Sequence, residues 1–137
     1  MASERYSRDH GWVRREGNRA RVGLSDFAQQ ELGEMAFVEL PPLGKVVRAG
    51  QPVCAVDSLK STSEVYAPVS GTIVAVNGKL TPEGGVRLVN SDPLGEGWLF
   101  VLELSDPAEL DSLMSLEQYV SYVGRETDAG GRDPESR

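Results

Sequence analysis

Cysteine and histidine each occur once in this sequence, at Cys54 and His10. One cysteine excludes an internal disulfide, and one residue of each kind cannot assemble a structural zinc site. A reducing compartment is the simplest reading. Long apolar runs are missing too: none approaches the roughly 20 residues needed to span a bilayer. The N-terminus lacks a signal peptide's apolar stretch, and Glu4 and Asp9 interrupt any transit-peptide pattern. We expect a bacterial-type cytoplasmic protein with no membrane partner, although a processed organellar chain would share these features. Basic charge is scarce, with 14 Lys and Arg against 21 Asp and Glu and a formal charge of −7. That balance argues against nucleic acid as a partner and favours proteins with basic docking surfaces. Catalytic signatures are absent as well. His10 with Asp9 or Asp26 and a serine could be drawn as a triad, but no Gly-x-Ser-x-Gly elbow accompanies them. Gly95-Glu96-Gly97 lacks the third glycine and following helix of a nucleotide loop. We therefore expect no catalysis, a hydrogen-bonded His10 beside the fold, and a small buried side chain at Cys54.

What is present points to one place. The 137 residues suffice for one domain with its own core, which we assign to residues 1–126. Residues 127–137 are Asp, Gly, Arg, Pro and Ser-rich and read as a disordered tail. At the centre, Val53-Cys54-Ala55-Val56 and Glu64-Val65-Tyr66-Ala67 read as short strands, with Lys60 in the polar turn between them. Such a turn holds a lysine clear of the body while its four-carbon stem stays mobile. Exposed turn lysines are common, and this one gains weight from Gly44, Gly50 and Gly71, each placed where the backbone must turn or bulge. Short strands punctuated in this way predict a mainly β fold: a flattened antiparallel barrel or sandwich with the lysine hairpin at one end.

The remaining elements follow in order. Tyr6 to Arg15 and Arg19 to Leu24 read as an opening hairpin around Glu16-Gly17-Asn18, with Arg14, Arg15, Arg19 and Arg21 as a solvated face. Ser25 caps a short helix through Leu32, which Gly33 stops, and this helix lids the barrel's edge. Strands are expected at Met35 to Leu40, Lys45 to Val47, Gly71 to Val76 and Trp98 to Leu104. Within Gly71 to Val76, Ile73 should point inward together with Val74 or Val76, depending on register. The segment Asn77 to Asn90, with Thr81-Pro82-Glu83-Gly84-Gly85, reads as a mobile loop. Two helices close the chain, each opened by a capping box, Asp106 with Glu109 and Ser115 with Gln118. Leu110, Leu113 and Met114, then Leu116, Tyr119, Val120 and Val123, form their apolar stripes.

Several of these stretches carry a specific resemblance. Val22 to Gln29, Leu32-Gly33-Glu34, Phe37 to Pro41, Asp57 to Ser70 and Leu88 to Trp98 together resemble the H-protein family of the glycine cleavage system. The resemblance spans about residues 6 to 123 and implies a barrel-sandwich hybrid of the lipoyl-domain type, with short peripheral and C-terminal helices. It implies a non-catalytic carrier: lipoate amide-linked to Lys60 by a ligase, or built there after an octanoyltransferase acts. Such an arm carries the aminomethyl group of glycine from glycine decarboxylase to an aminomethyltransferase and is reoxidised by dihydrolipoyl dehydrogenase. It also implies Asp57 as a recognition residue for lipoylation, and Glu64 and His10 as candidate lining of the arm's resting pocket. Two positions depart from the family pattern: Asp57 stands where Glu is usual, and His10-Gly11-Trp12 replaces His-Glu-Trp. The 77–90 segment is also about two residues longer than usual. These departures keep open a specialised lipoate-bearing homologue serving acyl relay or sulfur metabolism, or an unmodified interaction module. A biotin carrier fits less well, because Leu59 and Ser61 flank the lysine where methionines would be expected.

Overall fold

Among residues 4–129, which the computed structural model describes, nine short strands form two antiparallel sheets with three α-helices at their margins. The larger sheet runs β1 (Arg5–Tyr6), β2 (Gly11–Glu16), β3 (Arg19–Leu24), β9 (Phe100–Leu104), β8 (Gly71–Val76), β5 (Val46–Val47). The smaller runs β4 (Met35–Glu39), β6 (Pro52–Ser58), β7 (Thr62–Tyr66). Neither sheet closes on itself, so the expected flattened barrel takes the form of a barrel-sandwich hybrid. One core draws on both sheets: Val13, Val22, Ile73 and Leu102 from the first and Val38, Val56 and Val65 from the second.

Local chemistry explains most element ends. Ser25 Oγ accepts from Ala28 N at 3.1 Å and opens α1 (Asp26–Leu32), and Gly33, at φ +85°, ends it with its N–H on the Gln29 carbonyl. Gly71 is required for close approach: an added Cβ would lie 2.4 Å from the Glu103 carbonyl oxygen across the β8–β9 pair.

Tertiary contacts altered several expectations. The opening strand is broken by a tight turn in which His10 N donates to Ser7 O and Ser7 N to Gly11 O. The chain there folds back, and β1 pairs with β2. Cys54 is buried as expected, and so is its neighbour Val53. A register shift between Pro52 and Cys54 turns both into the core. A second shift, between Ile73 and Ala75, buries Ile73 and leaves Val76 partly buried against the same core. The expected 77–90 loop is folded: Leu80 and Val86 are buried, a 3₁₀ turn spans Gly85–Arg87, and α2 (Leu88–Ser91) carries the wholly buried Val89. Before the last helix, Asp106 caps a 3₁₀ turn at Pro107–Ser112, and only half of its capping box forms. Glu109 instead accepts from Ser70 N and Oγ, at 2.7 and 3.1 Å. The Ser115–Gln118 box is complete, with reciprocal bonds of 2.9 and 3.2 Å.

The last helix, α3 (Leu116–Ala129), covers a second apolar cluster. Tyr119 stacks on Tyr6 with centroids 4.6 Å apart, beside Trp12, Trp98, Tyr122 and Val123. Leu116 and Val120, expected in that stripe, are 55% and 60% exposed, because the tyrosines take the inner face. The helix runs three residues into the segment assigned to the tail, and residues 130–137 lie outside the described residues. Of the hairpin arginines, Arg15 and Arg19 are exposed, as expected of a solvated face, while Arg14 and Arg21 are engaged within the fold. Arg14 bonds Glu4 and the Leu94 carbonyl and lies over Trp12, and Arg21 lies over Trp98.

Candidate functional site

The hairpin between β6 and β7 is closed by Ser58. Its N–H donates to the Ser61 carbonyl at 2.8 Å, and its Oγ accepts from the N–H groups of Lys60 and Ser61 at 3.2 and 3.1 Å. These bonds let the backbone reverse within Leu59-Lys60-Ser61. The tip is tied to the body from one side, since Leu59 N donates to the Glu34 carbonyl at 2.9 Å. The Lys60 stem runs over Gly33, where an added Cβ would come within 3.3 Å of Lys60 Cε.

The sequence holds three lysines, and their settings differ. Lys45 Nζ donates to the Val53 carbonyl at 3.4 Å, and Lys79 forms an ion pair with Glu96. Lys60 stands exposed at the tip, next to a Leu59 that is 72% exposed. Asp57 lies half-buried on β6, paired with Thr62 on one side and Phe37 on the other, and Phe37 is itself partly open to solvent.

Glu64 and His10 lie on different elements, and neither is bonded to Lys60. Glu64 is exposed on β7 and accepts from the Tyr66 hydroxyl at 3.1 Å. That hydrogen bond, then the Glu64 charge, and more weakly the Asp9 charge, hold the Tyr66 phenol above its usual range. Asp9 therefore lies within electrostatic reach of the strand that carries Glu64. His10 adopts φ +68°, uncommon for a residue with a side chain. Its Nδ1 lies 2.8 Å from the Tyr119 hydroxyl, which in turn is 2.6 Å from Ser25 Oγ. The ring also tilts against Phe27 at 5.0 Å. The expected hydrogen-bonded histidine beside the fold is thus present, at the start of α1. Lys60 touches Gly33 at the other end. Seven helical residues rise roughly 10 Å, so the structure places His10 and Lys60 along one helix, not in contact.

Two clefts adjoin the tip. One, of about 530 Å³, lies between α1 and α2 and includes Gln29, Gly33, Glu34 and Asn90. The other, of about 270 Å³, includes Leu59, Met35, Pro82 and Glu83. Among the described residues, no group of His, Cys, Asp and Glu is placed to hold a metal ion. Cys54 is no thiol partner for a disulfide-bearing group. Burial, reinforced by Glu39 and partly offset by Lys45, pushes its thiol up to about 12. The contacts of Gly33 and Ser58 with Lys60 were not among the expectations. Ser58, two residues before the lysine in a turn, was the one with a readable local signal.

Comparison with known proteins identifies this architecture. The family described as Glycine cleavage H-protein matches residues 4–126. The chain belongs to the glycine cleavage H-protein family. A glycine cleavage system H protein of Xanthobacter autotrophicus is 52% identical over 123 residues, covering 90% of this chain and 97% of that one. One from Brevibacillus brevis is 50% identical over 119 residues, covering 87% and 93%. A crystal structure of a glycine cleavage system H protein from Mycobacterium marinum superposes with a TM-score of 0.79 at 31% identity, covering 90% of this chain and 98% of that one. These matches support a glycine cleavage H-protein function and do not favour the specialised-homologue or bare-module readings. Membership of the glycine cleavage system implies partner enzymes of that system. Among the described residues, no helix is long and apolar enough to cross a membrane.

Proposed function

We propose that this chain is the lipoyl-bearing carrier of the glycine cleavage system, with lipoate attached through an amide to Lys60. The observation that carries the reading is the contrast among the three lysines: two are engaged by the body of the protein, while Lys60 is offered on a bonded turn. The surroundings suit such a group, for the tip is open to an attaching enzyme and clefts adjoin it on two sides. Attached lipoate supplies a dithiolane, the chemistry by which an aminomethyl group is accepted, handed on and the disulfide restored.

The protein's own residues do three things. Ser58 and Glu34 fix the backbone at Lys60 while its stem remains mobile, so the arm pivots from a defined point. Asp57, three residues earlier, marks the turn for the lipoate ligase or octanoyltransferase. Glu64 offers negative charge on β7, where a cationic load can rest against a carboxylate. Tethering keeps the load at high effective concentration while glycine decarboxylase, the aminomethyltransferase and dihydrolipoyl dehydrogenase are visited in turn.

Lys60→Arg is expected to abolish lipoylation without changing the fold, since a guanidinium is not a competent nucleophilic amine yet keeps the turn's charge. Intact mass after incubation with a lipoate ligase, lipoate and ATP should show one lipoyl adduct on the wild type and none on the variant. An adduct persisting on Lys45 or Lys79 would place the site elsewhere.

A further inference from the structure

The Lys60 tip rests on a bend that regular pairing does not fix. Residues 33–35 form it: Gly33 supports the lysine stem, and the Glu34 carbonyl accepts from Leu59 N. Gly33 is left-handed, and the β4–β6 register shifts between Met35 and Phe37, so the ladder is irregular just where the bend meets the hairpin. Backbone groups in such a place need partners from outside the sheet.

Asn90 supplies them. Its Oδ1 accepts from Met35 N at 2.9 Å, and its Nδ2 donates to the Gly33 carbonyl at 2.9 Å and to Gln29 Oε1 at 2.9 Å. The amide orientation follows from these partners, since Met35 N–H requires an acceptor and the Gly33 carbonyl a donor. The carboxamide is carried on α2, whose Val89 is wholly buried, so the clamp stands on a fixed element. The Glu34 side chain adds little: its ion pair with Arg87, at 3.4 Å, joins two mostly exposed groups.

We propose that Asn90 is a positioning residue for Lys60: by bonding both Gly33 and Met35 it holds the bend against which the hairpin tip and the lysine stem are set. The inference rests on Lys60 being the lipoylated residue. Asn90 acts through the backbone of residues 33–35 and touches neither the lysine nor lipoate.

The test reads the bend and the modification separately. In unmodified Asn90→Ala, amide hydrogen exchange at Leu59 is expected to speed up about tenfold or more, because its acceptor carbonyl loses its support. Lipoate attachment by a lipoate ligase is expected to lose about tenfold in kcat, with KM for the protein within about twofold, since the outer face of the hairpin is unchanged. Gln29→Ala removes Asn90's third partner but leaves the bend bonded, and should leave Leu59 exchange at the wild-type rate. Asn90→Asp keeps the volume and the Met35 bond while losing donation to Gly33. It should shift both readouts in the same direction, and it serves if the alanine variant does not fold. Wild-type exchange at Leu59 together with wild-type attachment would overturn the proposal, as would a loss confined to KM. If the wild type takes no lipoate on Lys60, the functional reading fails instead, and Leu59 exchange still decides whether Asn90 holds the tip.

Discussion

Burial keeps the Cys54 thiol protonated well past its ordinary value near 9, up to about 12, and that difference links folding to pH. A raised pKa means the folded state keeps a proton that the unfolded chain releases. The contribution is therefore complete below about pH 9 and declines as pH rises towards 12, with a slope of at most about 1.4 kcal/mol per pH unit. Urea titrations between pH 8 and 11 should show wild-type stability falling, and Cys54→Val should fall less steeply above pH 9. Tyr6, whose phenol is also raised mainly by burial, is common to both proteins and drops out of the difference. Parallel curves would mean that the thiol is not desolvated as the structure places it. At the same scale, Lys60, Ser58 and the Glu34 carbonyl illustrate a division of labour. The amine is exposed at its end, and the backbone beneath it is bonded at several points.

Among the elements, the β8–β9 pair sits inside the larger sheet. Gly71 opposes Leu104 at the start of β8, and its hydrogen side lies against the Glu103 carbonyl. A side chain there has to push strand from strand. Gly71→Val should therefore cost on the order of 1–3 kcal/mol, the usual range for forcing atoms into a packed site. β8 begins right after Ser70, which Glu109 holds through two bonds, so the displacement would spread to the 107–112 turn. Thermal melting checks the size of the effect, and an unchanged melting temperature would show that the pair tolerates separation. The α3 helix makes a related point about stripes. Its apolar positions are legible as a helix, but which of them faces inward was decided by Tyr119 and Tyr122 meeting Tyr6, Trp12 and Trp98.

For the whole molecule, the formal charge of −7 governs encounters with partners more than it governs the fold. Asp57 on β6 and Glu64 on β7 flank the Lys60 hairpin, so acidic side chains stand beside the tip that a partner would approach. If the partners dock through basic faces, association rates should fall steeply as salt rises, because the Debye length shortens from about 10 Å at 0.1 M to about 3 Å at 1 M. Stopped-flow association of the lipoylated protein with the aminomethyltransferase, at low and high salt, measures this. A rate independent of salt would remove electrostatic steering from the account.

What the sequence determined by itself was whatever depends on neighbours a few residues away. The Ser25 cap, the left-handed Gly33, the Ser115–Gln118 box and the turn that carries Lys60 all rest on such short-range chemistry, and each was legible. The tertiary structure alone decided which distant segments serve as partners. Asn90 reaches Met35 and Gly33 across 55 and 57 residues of chain, and no local pattern announces that meeting. The same holds for the break at Ser7 to His10 and for the three register shifts, in β4, β6 and β8. Periodicity assumes an unbroken strand, and a bulge or fold-back is selected by what packs on the other side. The turn that presents Lys60 could therefore be read from its own residues, while the residues that hold that turn in place became visible only when separate stretches of chain were packed together.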